Sequence, residues 1–158
     1  MLSLEESVPI WNQLRQSAQS MQSNLVAKKN DLQSGAFRDA CMAMCALVSA
    51  ADGSVDPQER LRVASLIQSN EVLMIFSADE LRQEFDNYCN KLMADFDFGK
   101  VAVLQDVAKI KKKPDQARAV IQIGIIIGGA DGHFDDHEKK IVRDACFALG
   151  LPPAEFDL

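Results

Sequence analysis

The chain has 158 residues, 47% of them hydrophobic and only 6% aromatic, with a formal charge of −6 from 17 basic and 23 acidic side chains. That length fits one compact domain, or two small halves sharing a core, and the composition favours helices throughout. The acidic balance argues against non-specific nucleic-acid binding, which needs positive charge to meet phosphates.

In chain order, Ser7-Val8-Pro9 reads as a helix start. Trp11, Leu14, Ala18, Met21 and Leu25 follow at helical spacing and form one apolar stripe, which ends at Lys28-Lys29. Residues 1–29 are therefore read as an N-terminal amphipathic helix. It either packs on the domain or serves as an arm that docks on a membrane protein or another subunit. Residues 30–158 are read as the helical domain proper.

A second helix is expected to start between Asp31 and Gly35 and to run to Ala51, burying Met42, Cys45, Leu47 and Val48. An acidic turn follows at residues 51–59, then a third helix from Pro57 to about Ser69-Asn70. Glu71 to Phe76 reads as a connector. Ser77 with Glu80 is a capping box for a fourth helix carrying Leu81, Phe85, Tyr88, Cys89 and Leu92. Phe96-Asp97-Phe98-Gly99 is expected to close that region, and a fifth helix to span Lys100 to Lys112. Pro114 opens a sixth helix through Ala130. A second acidic turn at residues 130–138 leads into a seventh, Asp136 to Leu149, capped by Gly150 ahead of Pro152-Pro153. The expected fold class is all-α, a single compact domain of about seven helices built from two similar helical-hairpin halves.

No apolar stretch is long enough to span a bilayer, and the first residues carry Glu5-Glu6 rather than an apolar signal region. Cys41, Cys45, Cys89 and Cys146 form no C-x-x-C pair. Free thiols in a reducing cytoplasm are the expectation.

The feature that organises the chain is the repeated turn. Ala51-Asp52-Gly53-Ser54-Val55-Asp56-Pro57-Gln58-Glu59 aligns with Ala130-Asp131-Gly132-His133-Phe134-Asp135-Asp136-His137-Glu138. Six acids occupy the shared positions: Asp52, Asp56, Glu59, Asp131, Asp135 and Glu138. Without them the two signs of charge balance. Helix capping accounts for part of the pattern. Asp56 and Asp135 suit the N-cap, Glu59 and Glu138 suit N3, and Gly53 and Gly132 suit left-handed caps of the preceding helices. Capping does not account for Asp52 and Asp131, which face the negative end of a helix dipole. A compensating cation is therefore expected.

The string D-G-x-apolar-D-x-x-E matches the second half of an EF-hand loop, where the final Glu binds calcium. The earlier ligand positions fall on Val48 and Ala50, and on Ile127 and Gly129, none with a side-chain oxygen. Each turn is thus an incomplete site for a divalent metal such as calcium, its remaining ligands to come from water, from the other turn or from a partner protein; the two turns are expected to lie side by side as one acidic patch. His133 and His137 have Ser54 and Gln58 as counterparts and read as local variation.

Two other readings stand beside this one. Cys41 and Cys45, one helical turn apart, suit a metalloid-handling protein or simple core packing. Carboxylate-bound metal also suits a metal-dependent hydrolase, although no P-loop, G-x-S-x-G or H-E-x-x-H motif is present. Lys109 to Lys113 is a basic patch at a helix end, read as a solvated face.

At the repeated A-D-G-x-[V/F]-D-x-x-E turns the chain resembles the TerB family of tellurite-resistance proteins, which includes the TerB-like domain of a membrane-anchored DnaJ-type co-chaperone. The resemblance extends to Leu92–Gly99, Pro114–Arg118, Asp131–Lys139 and Ala148–Leu151. It implies a non-enzymatic, cytoplasmic bacterial protein of the tellurite and stress response. It also implies a scaffold between an integral membrane partner of the TerC type and calcium-binding TerD-type proteins, associated with the inner membrane only through a partner. The family's proposed metal-binding acids map to Asp52, Asp56, Glu59, Asp131, Asp135 and Glu138. Pro57 stands where the family commonly has a polar residue.

Overall fold

A computed structural model describes residues 10–158. Among the described residues seven α-helices run in order: α1 (Ile10–Ala27), α2 (Gly35–Ser49), α3 (Pro57–Ser69), α4 (Ala78–Ala94), α5 (Phe96–Ala108), α6 (Pro114–Gly128) and α7 (Asp136–Leu149). Short 3-10 turns lie at Lys29–Leu32, Leu73–Ile75 and Pro153–Phe156, and no strand occurs among the described residues. The expected all-α single domain is what forms.

Two helices make the centre. Every residue of α2 from Ala40 to Val48 is buried, and α6 buries Ala117, Ala119, Val120, Ile121, Ile123, Gly124, Ile125, Ile127 and Gly128. A helix that is apolar on all sides has to be wrapped by others, and α3, α4, α5, α6 and α7 all pack on α2. Each central helix is the first arm of one acidic hairpin, α2 leading to α3 and α6 leading to α7.

The two arms cross closely because α6 carries glycines there. A Cβ at Gly128 would lie 2.5 Å from Val48 Cγ1 and 3.0 Å from the Phe134 ring, and one at Gly124 would lie 2.7 Å from Met44 Cγ. With hydrogen in those places the Met44 and Val48 side chains of α2 pack directly on the α6 backbone.

Along α1, Met21 and Leu25 pack against the core, and α1 lies along α6. Asn70, a buried polar residue, donates to Gln22 Oε1 (3.1 Å) and accepts from the amides of Val72 and Leu73 (3.0 and 3.3 Å). The α1 surface is thereby tied to the end of α3. The helix start at Ser7-Val8-Pro9, and the side chains of Trp11, Leu14 and Ala18, lie outside what the structure describes.

Several element ends differ from expectation. Phe96 to Gly99 opens α5 rather than closing the preceding segment. Asp95 is its N-cap, accepting from the Phe98 amide (3.1 Å), and Gly99 lets α5 approach α4, where a Cβ would sit 2.6 Å from the Lys91 carbonyl oxygen. α5 accordingly stops at Ala108, Lys109 to Lys112 form turns, and Lys113 is the N-cap residue of α6. Ser77 caps α4 as expected, accepting from the Glu80 amide (3.4 Å), but Glu80 does not reach back to close the box: it pairs with Arg38 of α2 at 2.9 Å. At the C-terminus Gly150 takes φ 71° and the Leu151 amide reaches the Cys146 carbonyl, the expected glycine stop.

Arg38 also clasps Glu84 of α4 (3.0 Å) and its neighbour Asp39 (3.2 Å). Glu84 Oε2 is buried without a partner. Burial, with the adjoining Asp39 carboxyl, pushes Glu84 from an ordinary 4.5 up to about 7 against the pull of Arg38.

Between the unfolded and folded values of Glu84 the folded state keeps a proton that the unfolded chain loses. Its contribution is complete below the unfolded value and is lost as pH rises through about 7. Chemical denaturation is therefore expected to show a smaller loss of stability on going from about pH 5 to about pH 8 in Glu84→Gln than in the parent chain. Gly128→Ala, which drives a methyl into Val48, is expected to cost roughly 1–3 kcal/mol in the same assay. Gly124→Ala is expected to cost less, because its neighbour is the adaptable side chain of Met44.

Candidate functional site

The glycine crossing sets the ends of α2 and α6 side by side, so the turns that follow them face one another. A single cavity of about 300 Å³ lies between, and all six shared acids line it: Asp52, Asp56 and Glu59 from the first turn, Asp131, Asp135 and Glu138 from the second. Val55 and Phe134, the shared apolar positions, are buried beneath their turns and anchor them to the body. Phe134 packs over Gly128 and Gly129.

Within each turn one oxygen of each aspartate is used locally. The Ser54 amide donates to Asp52 Oδ1 (3.2 Å) and the His133 amide to Asp131 Oδ1 (3.0 Å). These are Asx turns, in which a short acid closes the loop on an amide two residues on. They give Asp52 and Asp131 a local role that helix capping left unassigned. Asp56 and Asp135 are N-caps, accepting from the Glu59 and Glu138 amides at 2.7 and 2.8 Å. Glu138 returns the bond, accepting from the Asp135 amide (3.3 Å), whereas Glu59 does not.

Gly53 and Gly132 have φ of 101° and 94°, as the turns require. They stand beyond the C-cap residues, Ala50 and Gly129, rather than capping the helices directly.

Glu59 turns instead to Arg62, whose Nη2 and Nε lie 2.8 and 3.1 Å from its two oxygens. The same Nη2 is 3.6 Å from Asp131 Oδ2 of the other turn. Arg62 is the residue sequence reasoning missed. The signal was present: aligning the repeats sets Arg62 against Ile141, a cation in one copy at a position that is buried and apolar in the other. Bonding to Glu59 holds the guanidinium charge more firmly than usual, with Asp131 and Glu138 adding to it.

Glu138 is half-buried. Its Oε2 lies against the backbone of Gly128. Burial, chiefly, and then the nearby Asp135, Asp131 and Glu59 carboxylates raise it to about 7, although the Asp135 amide works the other way.

The donor set is carboxylate throughout, which matches a hard cation such as calcium or magnesium rather than zinc. Among the described residues no three Cys, His, Asp or Glu side chains are already gathered closely enough to hold a metal ion. The acids instead stand around a cavity with a guanidinium at its edge. His133 lines the same cavity, and its backbone amide serves the second turn.

Cys41, Cys45, Cys89 and Cys146 are all buried. Burial raises the Cys41 and Cys45 thiols far above their ordinary range, so neither is a thiolate at neutral pH. A second, larger cavity of about 630 Å³ lies between the end of α1 and the start of α6; its charges are mixed, Lys28, Lys113 and Arg118 with Asp31 and Asp115. No described helix is long and apolar enough to cross a membrane.

Comparison with known proteins points to one family. A family model described as "Tellurite resistance protein TerB" matches residues 38–158. The chain is also similar to a tellurium resistance protein TerB from an Alcaligenes species, at 28% identity over 93 residues, covering 56% of this chain and 73% of that protein. No solved structure matches.

Proposed function

The chain belongs to the TerB family, and from that premise we propose that it is a non-enzymatic protein of the tellurite and stress response whose two acidic turns bind one divalent cation between them. The observation that carries this reading is the sharing of one cavity by all six acids. Each turn supplies carboxylate oxygens that its own Asx turn and N-cap leave over, and neither alone reaches the 6–8 oxygens that calcium takes. Asp52, Asp56, Glu59, Asp131, Asp135 and Glu138 would hold the ion, with water completing its shell. The ion would supply charge: it would relieve the repulsion among facing carboxylates and brace the α2–α3 hairpin against α6–α7. The stress-response part of the reading rests on the family and on the name of the Alcaligenes relative. A scaffold role, joining TerC-type membrane and TerD-type cytoplasmic partners, is proposed on the family likeness alone.

The cysteine-based alternative is less well supported, since Cys41 and Cys45 are protonated and enclosed in the core. No observation favours a hydrolase.

Calorimetric titration with calcium tests the reading. Asp52→Asn and Asp131→Asn, one from each turn, are each expected to weaken binding on the order of tenfold, equal to about 1.4 kcal/mol. Affinity unchanged in both variants contradicts the shared site.

A further inference from the structure

We propose that Arg62 is the resident counter-ion of the acidic cavity, and that an incoming cation binds by displacing its guanidinium from Asp131. The displacement step rests on the cation reading above; the counter-ion role does not.

Arg62 is the one Lys or Arg among the described residues that lines the cavity. It belongs to α3 but serves both turns, bidentate to Glu59 of its own hairpin and 3.6 Å from Asp131 of the other. The two attachments are unequal. The Glu59 pair is short and is formed within one helix, three residues apart, so it moves with α3. The Asp131 contact is long and crosses between the halves. It is the weaker link, and it is the one an ion would exchange.

The side chain is also placed to move. Its exposure is 33%, so swinging outward about the flexible stem returns the charge to water at little desolvation cost. Leaving Asp131 does not require leaving Glu59. The repeat gives a further reason to see a dedicated role. The hairpin geometry alone does not call for arginine here, because the matching position of the second hairpin is the buried Ile141. A guanidinium in the cavity therefore has two effects. It holds the facing turns together when no other cation is present, and it sets a threshold that weakly attracted monovalent ions do not pass. A divalent ion, with twice the charge at a comparable distance, competes with it on favourable terms.

The experiment has two arms, both on the full chain. In chelator, chemical denaturation of the parent, Arg62→Gln, Asp131→Asn and the double variant forms a cycle across the two hairpins. A counter-ion predicts coupling: Arg62→Gln is less destabilising when Asp131 is already neutral. Additive effects overturn the role. In the second arm, calcium alone is titrated into the parent, Arg62→Gln and Arg62→Lys. Arg62→Gln is expected to bind on the order of tenfold more tightly than the parent at low ionic strength, with Arg62→Lys, which keeps the charge, near the parent. Equal or weaker binding by Arg62→Gln overturns displacement while leaving the cation site standing. Binding by none of the three overturns both the cation reading and displacement, and the chelator cycle then decides the counter-ion role by itself.

Discussion

The structure depends on the crossing of α2 and α6. Two helices rich in buried apolar residues are driven into the middle of the molecule, and Gly124 and Gly128 let them meet with Met44 and Val48 against bare backbone. Everything that follows in each hairpin inherits that placement. Were the crossing a few ångströms wider, the two acidic turns would be separate surface loops, each satisfied by its own caps. Because it is close, Asp131 of the second hairpin comes within reach of Arg62 of the first, and all six acids line one cavity.

The acids consequently have two roles that do not compete. One oxygen of each aspartate closes a turn or caps a helix, a local task worth about 1 kcal/mol for a cap. The remaining oxygens face a shared space. Local bonding fixes the loops, and the fixed loops then impose like charge on like charge across the cavity. The raised value of Glu138 is one consequence of that enclosure, and the presence of Arg62 is another. The pattern separates this site from a complete EF-hand, where one loop gathers its own ligands; here the gathering is done by tertiary packing of two half-loops.

Much of the fold was legible because each helix announces its own ends. Pro57, Ser77, Pro114, Asp135 and Gly150 mark boundaries that the structure reproduces. The start of α5 was misread because Phe96-Asp97-Phe98-Gly99 has no helical periodicity; what starts that helix is the Asp95 cap, and what its glycine serves is a contact with α4 that no local pattern encodes. The six acids were legible as a repeat. That they share one cavity was inferred only from the symmetry of the sequence, whereas the means, two glycines on one helix, lay in a segment read simply as helix. Arg62 escaped because it breaks the repeat, and a reading built on what the two copies share passes over what one copy has alone. The first aspartates of the turns were weighed only against the helix dipole, and the Asx turns they close on the amides two residues on were not considered.

The measurement that tests the account most directly is the nuclear Overhauser spectrum of the metal-free chain, at the crossing and at the contact between the turns. Strong contacts from a Val48 methyl to the α-protons of Gly128 and to the Phe134 ring, together with a salt-sensitive shift of the Arg62 side-chain NH resonances on Asp131→Asn, are the predicted result. Absence of the Val48 contacts, or an Arg62 indifferent to Asp131, would mean that each turn stands alone as a capped loop, and the single acidic site would have no structural basis.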